Sequence, residues 1–376
     1  MSDFVRASLN GNTPPGTIAR FELRQKYEQH TVAILDMTVP TALLRRASGA
    51  LYPEMTPVVL DWGRSATEGS RFFGYVNHPE VLTNDSGNPT VRYFCLGTSL
   101  RMNGTEPRSW AAPSPSFVVA EIARRHRMRA LLHRSRRTLV SFTITTETDF
   151  QALRRLAAEA GFRLWVDGGT VHFVDPDVLL LSAATMYVPQ YRVSEFSITP
   201  GTLVPRDGGV VSEKVVNGRS IATKRSFTVK SNTVLKSRPD EIAGFRPPIT
   251  SVLPGEVGTY LDAQKRIDSA NRRQNWLTAT VRLPGAPKVR PGSLIGIDGP
   301  SVPIDHTGTW HVESTQHVMD RSANSYSTDV ELSRNQGRRP EYGRTTQLSG
   351  TPDVVGCTRR GGMFWESESL DIVHLN

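Results

Sequence analysis

A pattern of short branched and aromatic runs, cut apart by turn residues, dominates this chain and occurs twice. In the first instance Thr31-Val-Ala-Ile-Leu-Asp-Met-Thr-Val39 is followed by Val58-Val-Leu-Asp-Trp-Gly63, Arg71-Phe-Phe-Gly-Tyr-Val76 and Thr90-Val-Arg-Tyr-Phe-Cys-Leu96. Asn84-Asp-Ser-Gly-Asn-Pro89 parts the last two with loop chemistry. Runs this short and this closely punctuated read as strands and predict a small antiparallel barrel over residues 1–105.

The second instance covers 193–335. Leu277, Ala279, Val281 and Leu283 alternate with polar residues, which predicts a half-buried strand. Pro291-Gly292 leads into Leu294-Ile-Gly-Ile-Asp298, and two further runs, Trp310 to Val318 and Tyr326 to Leu332, form a hairpin. Asn217-Gly218 reads as a turn pair ahead of Ser226-Phe-Thr-Val229, and a polar helix is expected between about 258 and 275.

Residues 106–192 differ in period. After a linker marked by Pro107, Pro113 and Pro115, Phe117–Arg124 shows apolar positions near helical spacing. Glu147–Ala160 places Phe150, Leu153, Ala157 and Ala160 on one stripe, with Thr146 and Asp149 as a start signal and Gly161 as a left-handed stop. Asp167-Gly-Gly169 between two apolar runs predicts a hairpin. The expected fold class is α+β and β-dominated: two small antiparallel β-barrel domains flank a smaller α/β insert, and 336–376 form an extended tail.

The two β regions echo one another. Leu60-Asp61-Trp62-Gly63 is followed by Gly74-Tyr75-Val76 and His78; Ile297-Asp298-Gly299 is followed by Gly308, Trp310, Val312 and His317. Two related barrels would explain this, and so would chance, because turn glycines and strand aromatics are common.

With 38% apolar and 22% charged residues, the chain has the composition of a folded soluble protein. No apolar run nears the ~20 residues that span a bilayer, so stable membrane insertion is not expected. Met1-Ser-Asp-Phe-Val-Arg6 lacks a basic segment followed by an apolar stretch, and no secretory signal is expected. Two cysteines, Cys95 and Cys357, exclude a disulfide framework and a structural zinc module. The net charge of +9 permits an acidic or nucleic-acid partner.

Phosphate-loop, dinucleotide, zincin and nucleophile-elbow motifs are all missing from the sequence. His311, Glu313 and His317 share a strand face by period-two counting. Strand rise puts Glu313 and His317 at least ~13 Å apart, too far for one ion without a bulge. Asp329 and Glu331 are expected to face these histidines across the hairpin as charge pairs. No catalytic, cofactor or metal residue is therefore assigned.

Possible partner contacts are assigned instead. Arg124, Arg125, Arg127, Arg129, Arg134, Arg136 and Arg137 crowd into 14 positions with His126 and His133. A solvated helix end, an acidic protein partner and nucleic-acid phosphates each fit such a run. Phe364 and Trp365 lie in the Gly- and Arg-rich tail, which reads as a docking peptide or an unstructured end.

Taken in order, these segments resemble the late-control D or tail-hub family of bacteriophage proteins, whose relatives form the base of type VI secretion spikes. The carrying segments are Phe117–His126, Glu147–Phe173, Val289–Gly299, Gly308–Val312 and the hairpin through Arg334, with Phe72-Phe-Gly-Tyr-Val76 fitting a first barrel. The resemblance implies a ring-forming homotrimer at the distal end of a virion tail, made in the host cytoplasm. Two barrels per subunit would give a pseudo-six-fold annulus against the tail-tube or another distal tail protein. The opposite three-fold face would receive a spike or fibre protein, and tape measure protein and DNA would pass through transiently. It implies no enzyme and no cofactor. A tail-associated peptidoglycan hydrolase is the main rival, and a nucleic-acid-binding protein comes third.

Overall fold

Alternation of buried and exposed side chains, period two, builds most of this molecule. A computed structural model describes residues 3–42, 52–65, 67–82, 89–135, 139, 141–175, 191–194, 204–207, 212–219, 223, 226–230, 249–252, 259–261, 263–264, 267, 277–300, 302, 307–334 and 371–373. The fold is α+β and β-dominated.

A first set of strands comprises β1 (Phe4–Leu9), β2 (Thr17–Lys26), β3 (Val32–Thr38), β4 (Pro57–Gly63), β5 (Gly69–Leu82) and β6 (Thr90–Gly97). Next come β7 (Arg108–Ala111), α1 (Pro115–Arg125), β8 (Arg129–Leu132), β9 (Ser141–Ile144), α2 (Asp149–Ala160), β10 (Arg163–Asp167) and β11 (Thr170–Val174). The chain continues with β12 (Tyr191–Ser194), β13 (Val204–Asp207), β14 (Ser212–Arg219), β15 (Ser226–Lys230) and β16 (Ile249–Val252). It closes with β17 (Leu277–Leu283), β18 (Leu294–Asp298), β19 (Gly308–Asp320), β20 (Ser325–Arg334) and β21 (Asp371–Val373).

The echo between the β regions is a repeat of topology. The first set is hydrogen-bonded in the order β1-β4-β5-β6-β3-β2. The second runs β12-β18-β19-β20-β17-β13. Numbered within each set, both orders are 1-4-5-6-3-2. Only the first strand differs, antiparallel to β4 in one set and parallel to β18 in the other.

The correspondence reaches single residues. A bulge at Asn77 separates the pairs Val76–Cys95 and His78–Phe94, and one at Glu313 separates Val312–Leu332 from Ser314–Glu331. The backbone of Val76 exchanges hydrogen bonds with Met55 and Thr56 (2.7 and 2.9 Å); Val312 does the same with Gly292 and Ser293 (3.2 and 3.0 Å). Met55 and Gly292 occupy level positions, and both have positive φ, 65° and 88°. Ala33, Leu35 and Met37 stand level with Ala279, Val281 and Leu283, all buried.

Two differences between the repeats are reciprocal. Arg92 holds Asp36 through two hydrogen bonds (2.7 and 2.9 Å), and at the level positions Arg282 holds Asp329 (2.5 and 2.9 Å) with the charges exchanged between strands. Phe72 precedes Gly74 in β5, whereas Gly308 precedes Trp310 in β19. A Cβ on Gly74 would lie 2.2 Å from the Leu96 carbonyl oxygen and 2.5 Å from the Phe72 ring. The bulky ring has moved two residues along the strand, so Gly74 stands level with Trp310 and not with Gly308.

A single seam fuses the two sets. After its bulge β19 changes neighbour: Gly308–His311 face β18, while Ser314–Asp320 pair with β2. β2 is bonded to β3 on its other side, so the described strands of both sets form one sheet of 12. Phe21 and Leu23 are fully buried at the seam, and the first core draws in Met319 and Tyr326 from the second set. Rings run across it from Phe21 to Trp62 (5.3 Å) and on to His317 (5.7 Å).

The α/β unit has its own core of helix and strand residues, including Val118, Ile122, Phe150, Leu153, Leu156 and Phe173. Gly168 and Gly169, with φ of 54° and 80°, make the expected hairpin turn between β10 and β11. α2 ends at Gly161 in the left-handed region as expected, but its start is Thr148, whose side chain caps the Gln151 N–H while Gln151 reciprocates. The unit sits on the seam. Arg163 bonds the bulged Glu313 at 3.0 Å, the Glu28 N–H donates to the Leu164 carbonyl at 2.8 Å, and the His30 ring stacks on Phe150 at 4.1 Å. β21, near the end of the tail, pairs with β8.

Asn217-Gly218 is not the turn its composition suggests. Both residues lie inside β14, opposite Thr228 and Phe227 of β15, and the Thr228 hydroxyl donates to the Asn217 side chain at 3.0 Å. The expected polar helix contributes Ala263 and Ile267 to a small core with Val216 and Val229. No helix among the described residues is long and apolar enough to cross a membrane.

The seam is load-carrying and its surface ion pair is not. Leu23→Ala is expected to cost about 2–5 kcal/mol in chemical denaturation. Lys26→Ala, which removes the exposed bridge to Glu331, is expected to change stability by less than about 1 kcal/mol.

Candidate functional site

The seam gathers the histidines and carboxylates that the sequence placed on one strand face, and it separates them. His317 is wholly buried. Its Nε2 lies 3.1 Å from the Val289 carbonyl, which can only accept, so Nε2 carries the proton. Nδ1 then accepts from a hydroxyl, with Thr328 at 3.0 Å and Tyr326 at 3.2 Å, and the Thr328 oxygen accepts the Ala286 N–H. Every group is satisfied with the imidazole neutral, and burial lowers its pKa to about 4. Glu313 bulges away to meet Arg163 and the Ser333 hydroxyl. Burial and the Arg163 charge hold the pKa of His311 near 4.

The carboxylates expected to face these histidines bond elsewhere. Asp329 is held by Arg282 on β17, and Glu331 meets Lys26 on β2 at 3.0 Å. The flanking strands carry cations, and charge pairing chose them over neutral imidazoles. Among the described residues no group of three His, Cys, Asp or Glu side chains is placed to hold a metal ion.

The arginine run is divided by the fold. Arg125 and His126 turn inward onto Asp149, the fully buried first residue of α2; His126 Nε2 lies 2.6 Å from its carboxylate. Arg125 also meets Glu106. This cluster ties the end of α1 to the start of α2, where the helix dipole favours a carboxylate. Arg124, Arg127, Arg129 and Arg134 are exposed; Arg124 bridges to Glu121 and Arg129 lies on β8. Arg136, Arg137, Phe364 and Trp365 lie outside the described residues. Cys95 is a buried free thiol whose pKa burial raises to about 12, which makes it inert as a nucleophile.

A cleft of about 1300 Å³ opens between β1, the β4–β5 hairpin and the β10–β11 hairpin. Four of its charged groups are paired, Arg71 with Asp61 and Arg290 with Asp167, each at 2.5 Å; Arg6 lies over the Phe4 ring, Lys288 also lines the cleft, and His172 stacks on Trp165 at 4.5 Å. The paired groups tie the hairpins and the 288–293 segment together.

Among the open sheet edges of the described residues, two stand at the places in the two strand sets that correspond to the edges joined at the seam. Among the described residues β13 is paired only with β17, and His78–Leu82 of β5 only with β6. His78, Glu80 and Val81 are exposed there.

Comparison with solved structures bears on these edges through the fold alone. A tail protein from Neisseria meningitidis MC58 superposes with a TM-score of 0.64 at 13% identity, covering 89% of this chain and 97% of the other. The fold is that of phage tail proteins. The 43 kDa tail protein of prophage MuSo2 from Shewanella oneidensis gives 0.63 at 12% identity, covering 89% and 98%. The E. coli c3393 protein, described as a type VI secretion component structurally similar to the T4 tail proteins gp27 and gp5, gives 0.54 at 13%, covering 87% and 76%. No protein-family model and no curated protein matches the sequence. The tail fold thus extends over most of the chain although little of the sequence is shared.

Sequence reasoning missed β2 and β13, the strands that matter for these edges, and it missed Asp149 as the anchor of the arginine run. The only signals were the place of Asp149 at the helix start and the repeat itself.

His317 makes stability depend on acid. Its folded pKa lies near 4, below the ordinary 6.5, so the unfolded chain binds the extra proton between those values. The stabilising effect is complete above pH 6.5 and is lost as the pH falls toward 4, at up to about 1.4 kcal/mol per pH unit. Denaturant midpoints measured from pH 7 to pH 4.5 should fall, and His317→Asn should flatten part of that slope.

Proposed function

We propose that this protein is a structural hub at the distal end of a phage tail, working as a homotrimer. The observation that carries the reading is the duplicated six-strand order within one chain. Three chains, each with two like modules, present six comparable surfaces, which suits a hexameric tail tube on one side. The same three chains keep three-fold symmetry for a spike or fibre protein on the other. Closed cyclic symmetry also covers sheet edges that would otherwise aggregate. The tail fold of the solved structures supports the reading, and the domain limits 1–105, 106–192, 193–335 and 336–376 belong to it.

In this role the work is assembly and passage. The two modules form the ring wall, the α/β unit braces the seam, and tape measure protein and DNA pass along the axis. Arg124, Arg127, Arg129 and Arg134, with Arg136, Arg137, Phe364 and Trp365, are the proposed contacts to acidic faces of neighbouring tail proteins. A hydrolase would need a carboxyl group free to exchange protons. The buried carboxylate Asp149 and the largely buried Glu313 are instead engaged by arginines and by His126 or Ser333, as parts of the packing.

Native mass spectrometry of the purified protein, alone and with its tail neighbours, tests the reading. The expected species is three times the 41.6 kDa chain mass. A monomer under both conditions, or one copy per virion, overturns it.

A further inference from the structure

The repeat supplies each module with a donor strand edge, β2 or β13, and an acceptor edge, the part of β5 or β19 beyond its bulge. Inside the chain one donor meets one acceptor, β2 on β19. The other donor and acceptor, β13 and His78–Leu82, are both open among the described residues. We propose that β13 of one copy adds to the His78–Leu82 edge of β5 in the next copy, and that three such junctions alternate with the three intrachain seams. The proposal rests on the trimeric reading above and names the surfaces that close it.

The intrachain seam fixes the register. Gln25, Arg24 and Leu23 lie opposite Thr315, Gln316 and His317. The bulges bring Thr315, Gln316 and His317 level with Pro79, Glu80 and Val81. The β3 and β17 pairings bring Gln25, Arg24 and Leu23 level with Asp207, Arg206 and Pro205. Transferred between copies, Asp207 falls opposite Pro79, Arg206 opposite Glu80 and Pro205 opposite Val81. In the intrachain seam Arg24 faces Gln316, and Glu22 from β2 bonds both. Between copies the carboxylate would come from the other strand, Glu80 facing Arg206. Opposite charges across a strand pair favour this register. Val81, 43% exposed, would be covered.

Peptide directions make this junction weaker than its template. The Tyr27 N–H donates to the Glu313 carbonyl (3.3 Å) and the Arg321 N–H to that of Ala19 (3.0 Å). Alternate residues between them therefore face β2. At the level positions Pro79, Val81, Pro205 and Asp207 face the open edges, and two of these four have no N–H. Val81 and Asp207 can still donate to the Pro205 and Pro79 carbonyls. Prolines with the missing donor turned outward are what an edge strand tolerates, and they discourage indiscriminate sheet growth. Side-chain complementarity must then select the partner.

Disulfide trapping tests the junction. Arg206 and Glu80 form a non-hydrogen-bonded pair in this register, with Cα atoms about 4.5 Å apart, within disulfide range. Oxidised Glu80→Cys/Arg206→Cys in a Cys357→Ser background should give a covalent species of three chains and nothing larger, while either cysteine alone gives none. As a second arm without cross-linking, Glu80→Arg should weaken trimer formation by about tenfold and Glu80→Arg/Arg206→Glu should restore it. A native trimer that neither cross-links nor responds to Glu80→Arg overturns the edge assignment and leaves the ring reading standing. A ladder continuing past three chains overturns closure. Monomers at all concentrations and with tail neighbours overturn both.

Discussion

Backbone pairing between β2 and β19 is the interaction on which the other features depend. It makes one sheet of two modules and places Phe21 and Leu23 in the first core beside Met319 and Tyr326 of the second set. Because side chains alternate with period two, slipping this pairing by one residue would turn the apolar set of β2 to solvent. The bulge at Glu313 sets where β19 releases β18 and takes up β2, and the same glutamate receives Arg163 from the α/β unit. One irregular residue therefore fixes the junction of the modules and the seat of the unit between them.

The modules have kept geometry while exchanging chemistry. An aspartate and its arginine have changed strands, and a phenylalanine–glycine pair has become a glycine–tryptophan pair. Each exchange preserves what the sheet requires, a neutral cross-strand pair or a filled volume beside a close backbone approach. Conserved backbone bridges at Val76 and Val312 keep the bulges in step. Such a chain presents like edges at two places, which is the condition for matching a three-chain ring to a six-part neighbour.

Strands whose neighbours supply regular alternation were legible: β3, β4, β6, β17, β18, β19 and β20 all follow runs that stand out in the sequence. β2 did not, because Thr17-Ile-Ala-Arg-Phe-Glu-Leu-Arg-Gln-Lys26 loses its alternation at a register shift near Ala19 and buries a glutamate, Glu22, under Arg20, Arg24 and Gln316. β13 is four residues long and contains a proline. β8 is concealed within the arginine run. Asn217-Gly218 misled because turn propensity yielded to the antiparallel ladder with β15. The glycine echo found the right strands but misplaced them by two residues, since the large ring and the glycine are exchanged in order. No local signal marks the seam, whose partners lie about 290 residues apart in the chain.

The most direct measurement is a cryo-electron microscopy map of the protein in its assembled particle. The account predicts density encircling the conduit in which six curled six-strand modules repeat around the axis, contributed in pairs by three polypeptides, with strand continuity unbroken at alternating junctions of two kinds. Density with a single such module per polypeptide, or a molecule bound off the axis, would contradict it.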